Sequence, residues 1–248
     1  MSKSTIIILF LIILQVSFGK TSPSRMGDHL MRRGDYSEAL REYRAAESKN
    51  PNDPEILWRV GAALTGVALY QVGSARHDSL ELATNYLNRA IVANSSIVEA
   101  HLEYARALGH LALFKPDWDD VRVARRVHEE LCLVLREEPE NPDANYLMGM
   151  WHRWVSPKPL LERKPNGLGE ASTDSSLYYF RRAAEFDDDN LEYRFELGLA
   201  YIRTGNAPAG KEILNRLIDI EDIPTRYADI PERAEEILGN LEKTDEEE

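Results

Sequence analysis

Small residues set inside apolar helical patterns recur along the chain. Gly27 in "SRMGDHL", Gly61 in "LWRVGAAL", Ala105 in "LEYARAL", Gly149 in "NYLMGMW" and Gly198 in "RFELGLAY" lie 34, 44, 44 and 49 residues apart. Around each, apolar side chains fall three and four positions apart, the period of one helix face. A second amphipathic stretch follows each of them. The clearest is "GDYSEALREYRAAESKNPND", with Ala39, Tyr43, Ala46 and Pro51. Ala83, Leu87 and Ala90, then Ser176, Phe180 and Ala183, repeat its pattern. A small residue in a first helix lets the second approach closely, and bulky apolar residues fill the seam. Asn50-Pro51, Glu138-Pro139 and Asn141-Pro142 stop the helices. Strand signals are scarce, so the pattern predicts an all-α solenoid of about five helical hairpins.

Gly27, Leu30, Ala39, Tyr43, Ala46 and Pro51 resemble the tetratricopeptide repeat signature at its 34-residue period. The last repeat, with Leu197, Gly198, Tyr201 and the turn Gly205-Asn206, is also of standard length. The middle three carry about 10, 10 and 15 extra residues between their helices. This length is expected to prolong first helices, for instance Glu55 to about Val72, and to form a Pro-rich loop from Ser156 to Gly169. In repeat three, Val127, Leu131 and Val134 replace the usual small residues of the second helix, which leaves its register open. The layout is similar to the regulator of microtubule dynamics family, in "EILWRVGAAL", "VEAHLEYARALGHLA" and "NPDANYLMGMWHRW" followed by a loop and "ASTDSSLYYFRRAAE". That resemblance covers about residues 50 to 220 and implies an architecture more than an activity. HEAT-type repeats share the longer period without the small-residue signature. Ala234, Ile237, Leu238 and Leu241 mark a C-terminal capping helix, closing a repeat domain over 20–241; the acidic tail, 242–248, reads as a solvated, frayed terminus.

The N-terminus reads differently. Lys3, an apolar run from Thr5 to Val16, and small residues at Ser17 and Gly19 form the layout of a secretory signal peptide over 1–19, cleaved after Gly19. The run falls short of the roughly 20 residues that a spanning helix needs, so membrane contact is expected only if this segment stays uncleaved. The expected destination is periplasmic or otherwise extracytoplasmic. A net charge of −12 offers no basic surface to nucleic acid. Cys132, the single cysteine, permits no intramolecular disulfide; its apolar setting, "HEELCLVL", predicts a small buried residue.

In this repeat the first helices line the concave face, the usual ligand surface. Counting from each small residue gives Trp58; Leu102, Arg106 and His110; Tyr146, Met150, Arg153 and Trp154; and Phe195, Leu199 and Arg203 as concave positions. Around the paired tryptophans, Ala144, Leu147, Met148, Trp151 and Val155 form one apolar stripe suited to helix packing. Tyr146, Met150 and Trp154 form a second, which either faces the groove or is buried against the inserted loop. His152 falls where a core aromatic sits and predicts a packed, hydrogen-bonded histidine. Arg106, Arg153 and Arg203 suit a peptide carboxylate or acidic segment; solvation or internal pairing accounts for them equally simply. Glu55, Glu99, Asp143 and Glu192, near the starts of first helices, are explained by the helix dipole.

No motif demands chemistry or a cofactor. "GNAPAGKE", Gly205 to Glu212, mimics a phosphate loop, yet it ends in a carboxylate and follows a helical pattern. The six histidines form no zinc motif, "FDDDN" is not a calcium loop, and no nucleophile elbow is present. The sequence therefore predicts a non-catalytic, exported scaffold or adaptor that holds a protein or peptide segment on its concave face. A small-molecule or lipid carrier enclosed by the lengthened helices is the alternative, and an enzyme built from dispersed residues the third possibility.

Overall fold

The structure is a computed structural model that describes residues 24–115 and 119–247, with side chains to residue 243. The predicted signal segment, residues 1–19, lies outside the described residues. Among the described residues there are helices and no strands. Five hairpins follow one another: α1 (Arg25–Arg33) with α2 (Tyr36–Glu47), α3 (Pro54–Leu69) with α4 (Gly73–Ala93), α5 (Val98–Leu108) with α6 (Val121–Glu137), α7 (Pro142–Val155) with α9 (Thr173–Phe186), and α10 (Leu191–Arg203) with α11 (Ala207–Ile218). The short α8 (Leu160–Arg163) lies within the fourth hairpin, and α12 (Ile230–Glu247) packs on α11 and α10. Each hairpin packs on the next, giving the predicted helical solenoid.

The small residues do what their spacing implies. A Cβ on Gly27 would lie 2.5 Å from the Tyr43 ring, one on Gly61 2.5 Å from Leu87, and one on Gly149 2.7 Å from Phe180. At Gly198 the nearest atom belongs to Leu214, at 3.0 Å. Ala105, the third anchor, is fully buried. Tyr43, Leu87, Phe180 and Leu214 are the large side chains of the opposite helices and are themselves buried, so each glycine admits the residue that locks its hairpin.

Helix ends also follow local chemistry. Pro54 and Pro142 start helices at a position where no N–H is required, after Asp53 and Asn141, whose side chains accept from the backbone N–H groups of Glu55 and Ala144. In the phosphate-loop mimic, Asn206 caps α11 in the same way, and the element before it is the helix α10. Those residues are a hairpin turn.

Three expectations need correction. The extra residues of repeat two do not carry α3 to Val72. Gly73 takes φ +62°, a conformation that side chains resist, which separates α3 from a 21-residue α4. In repeat three, by contrast, the extra residues do prolong the first helix, through a π turn, Gly109–Leu113. Cys132 is exposed, because the buried stripe of α6 runs through Ala124, Val127, Leu131 and Val134 and leaves position 132 off it. Helical backbone also continues through the expected frayed tail as far as Glu247.

The Ser156–Gly169 loop is more ordered than its prolines suggest. It carries α8 and a 3-10 turn, Lys164–Asn166. The Arg163 guanidinium donates to the carbonyls of Lys158 and Ala171, both at 2.7 Å, while Arg125 of α6 donates to Asn166 O at 3.1 Å. Leu168 inserts into the core shared by α6 and α7. The loop thus packs against α6, away from most of the second aromatic stripe.

Candidate functional site

First helices from all five hairpins, together with the segment before α12, surround a pocket of about 670 Å³. Its floor is polar. Arg106 donates to Glu103 at 3.3 Å and pairs with Asp143 at 3.1 Å, and the Tyr193 hydroxyl donates to Asp143 at 2.6 Å. Burial opposes the Arg106 charge, but the two carboxylates outweigh it and raise its pKa. The Asp143 side chain is only partly buried, and Arg106 and Tyr193 hold its carboxyl below the ordinary range against the cost of desolvation. Glu103 is pushed up, chiefly by burial.

The walls are aromatic. Tyr146 stacks on Tyr193 with ring centroids 4.9 Å apart, Tyr36 faces Tyr70 at 6.1 Å, and Phe114 meets His110 edge-on at 5.7 Å. Burial and the Arg106 and Arg76 charges lower the His110 pKa to about 4, so this imidazole is neutral near pH 7. It sits on the π turn that closes the first helix of repeat three. Arg32 of α1 and Arg226, beside Tyr227 before α12, are exposed and line the same pocket.

A second pocket, of about 410 Å³, lies farther along α7 and α10 and shares no lining residue with the first. Arg153, Trp154 and Arg203 line it, with Ser156, Pro157, Thr173, Ser176 and Ala200. Arg153 binds Glu196, a carboxylate only 4% exposed, and its guanidinium lies 5.4 Å from the Trp154 ring centre.

The eleven concave positions counted from the sequence therefore separate into three groups. Arg106, His110, Tyr146 and Met150 meet in the larger pocket, and Arg153, Trp154 and Arg203 in the smaller. Trp58, Leu102 and Phe195 line neither. Trp58 packs against the core, donates to Glu55 at 3.1 Å and carries the Arg59 guanidinium over its ring. Leu102 is buried between hairpins. Phe195 is 3% exposed because α12 sets Arg233 over its ring, 4.2 Å from the centre. Leu199, at a fourth such position, is also core. The counting rule finds a helix face correctly but cannot see the capping helix that covers its end.

His152 is packed as expected: it accepts from Ser172 N at 3.3 Å and stacks on Tyr179. Trp151 is fully buried and donates to the Ala124 carbonyl at 2.7 Å. Sequence counting missed Tyr36, Tyr70, Tyr193 and Tyr227, since it followed only selected first-helix positions. It also gave the first-turn carboxylates too small a role. Asp143 and Glu192 do lie near helix N-termini, but they also cross to other elements, Asp143 to Arg106 and Glu192 to Arg233 through two bonds of 2.9 and 3.0 Å. Asp28 similarly accepts from Tyr43 at 2.7 Å and from Arg59 of the next hairpin at 3.0 Å.

Among the described residues, no group of His, Cys, Asp and Glu is arranged to hold a metal, and no helix is long and apolar enough to cross a membrane.

Comparisons place this architecture among known proteins. A tetratricopeptide-repeat protein of Thermus thermophilus superposes with a TM-score of 0.60 at 18% identity, covering 87% of this chain and 97% of that one. MamA from Desulfovibrio magneticus RS-1 gives a TM-score of 0.50 at 17% identity, over 78% and 89%. These likenesses concern the fold. Regulator of microtubule dynamics protein 1 of Bos taurus is 26% identical over 167 residues, 64% of this chain and 52% of the bovine one. The chain thus spans about half the length of that curated relative. The family model "Regulator of microtubule dynamics protein 1-3" matches residues 24–242, nearly the whole described region. The chain belongs to the regulator of microtubule dynamics protein 1-3 family.

Proposed function

We propose that this chain is a non-catalytic adaptor whose larger concave pocket holds a segment of a partner protein. The observation that carries this reading is the pocket's construction. Several hairpins contribute aromatic walls, while the charges on its floor are already paired with one another. Such a surface offers apolar contact with a few orienting polar groups, which is how segments are gripped. Its titratable groups suit holding better than proton transfer: His110 is neutral, and Asp143 is engaged by both Arg106 and Tyr193. The exposed Arg32 and Arg226 favour an acidic partner. Lys3 and the apolar run to Val16 support export, and with it a partner in an extracytoplasmic compartment.

The test begins with capture from the native envelope fraction, followed by mapping of the captured segment as a synthetic peptide. Met150→Arg, which fills the pocket from its wall, is expected to weaken that peptide at least about tenfold, roughly 1.4 kcal/mol. Unchanged affinity in a folded variant would remove the pocket from the reading.

A small-molecule carrier is the second reading. Residues from the first hairpin, Met31 and Tyr36, and from the segment before α12, Arg226 and Tyr227, bound one volume that falls within the roughly 300–1,000 Å³ of small-molecule sites. Native mass spectrometry of the purified chain decides it: a bound apolar mass, lost in Met150→Arg, would favour the carrier.

A further inference from the structure

The smaller pocket contains a charge imbalance that the fold does not correct. Arg153 is matched by Glu196, and Arg203 has been brought beside that pair from the end of α10. No carboxylate lines the pocket, and among the described residues no ion pair to Arg203 is formed. Two guanidinium groups thus share one buried carboxylate, leaving a surplus of one positive charge. Burial, followed by the Arg153 charge, lowers the Arg203 pKa, with Glu196 only partly offsetting them. Elsewhere the opposite holds: Arg44, Arg106 and Arg233 have raised values, because their carboxylate partners outweigh burial. Arg203 is nevertheless exposed, so an incoming group can reach it.

Around this surplus the remaining wall is suited to a ligand. Trp154, Pro157 and Ala200 are apolar, and Ser156 and Thr173 carry hydroxyls. We propose that the pocket formed by Arg153, Arg203 and Trp154 is a carboxylate subsite, which takes an acidic side chain or chain end of the bound segment with an apolar group against Trp154. One added negative charge cancels the surplus; a phosphate dianion would overshoot it. The subsite deepens the adaptor reading and rests on it for its natural ligand. It is separate from the Arg106 position, whose charge Glu103 and Asp143 already meet.

The experiment uses 3-phenylpropionate as the probe, the uncharged 3-phenylpropionamide as control, and phenyl phosphate as the competing anion. Binding is followed by NMR at the Trp154 indole N–H resonance, identified by its absence in Trp154→Phe. The carboxylate is expected to bind at least about tenfold more tightly than the amide and more tightly than phenyl phosphate. Arg203→Gln should lose that preference, and Arg203→Lys should retain part of it. Circular dichroism and the melting temperature confirm that both variants fold. Equal binding of carboxylate and amide, or an Arg203→Gln variant that binds like the parent, would overturn the subsite. Tighter binding of phenyl phosphate would overturn the carboxylate assignment in favour of a phosphoryl group. Because the two pockets share no lining residue, a negative result here leaves segment capture by the larger pocket standing, and failed capture leaves this titration interpretable.

Discussion

Arg106 and Arg153 occupy neighbouring repeats and the same concave face, yet they end in opposite situations. Arg106 meets two carboxylates, Glu103 from its own helix and Asp143 from the next hairpin. Arg153 meets one, Glu196, and shares its pocket with a second arginine. Both pairs tie neighbouring repeats together, but only the second leaves a further arginine, Arg203, facing solvent. The neighbours gathered around the cross-seam pair, a second carboxylate at Arg106 and a second arginine at Arg153, decide whether charge is left available.

This contrast can be broken most severely at Glu196. Replacing it with alanine leaves Arg153 and Arg203 side by side without compensation, and the expected loss is about 3 kcal/mol in urea unfolding. A loss under about 0.5 kcal/mol would show that the pair contributes nothing to the folded state. Asp143→Asn should cost less, about 1–2 kcal/mol, because Arg106 keeps Glu103 and the amide oxygen can still accept from Tyr193.

The pH dependence sharpens the same point. Asp143 titrates below its ordinary value of 3.8 in the folded chain, so its contribution is complete above that pH and is lost as pH falls through the lower folded value. The stability gap between the parent and Asp143→Asn should therefore be constant near neutrality and shrink below pH 3.8. A gap unchanged down to pH 2 would mean that the carboxylate charge is not what Arg106 holds. The smallest effect belongs to Arg203→Gln, expected to alter stability by no more than about 0.5 kcal/mol, since the residue is exposed and has no carboxylate of its own. A loss of about 2 kcal/mol would instead make Arg203 a structural partner of Glu196.

Much of this architecture was legible because its determinants are local. A glycine that must face Tyr43, Leu87 or Phe180 declares itself through the small residue and the apolar spacing around it. The core assignments of Trp151 and His152 followed from the same stripe. The turn Tyr70–Gly73 and the long α4 were harder, because a single left-handed glycine inside a helical pattern decides them. Phe195 was misjudged for a non-local reason: a helix beginning 35 positions later, at Ile230, covers it with Arg233. The two arginine environments were hidden similarly. Asp143 and Glu196 read as ordinary helix residues until folding sets them opposite Arg106 and Arg153.

The exposed sulfur of Cys132 gives the molecule a native attachment point. It is the chain's single thiol, so a maleimide dye would modify one position without mutagenesis. Burial of its surroundings and the Glu170 charge raise its pKa, so labelling should be slow at neutral pH and accelerate in alkaline buffer. The His128 ring lies 3.4 Å from the sulfur and stacks on Trp151. A dye fixed there would stand beside a buried indole of α7, the helix that also carries Met150 and Trp154, and its brightness would report how that helix settles when either pocket fills.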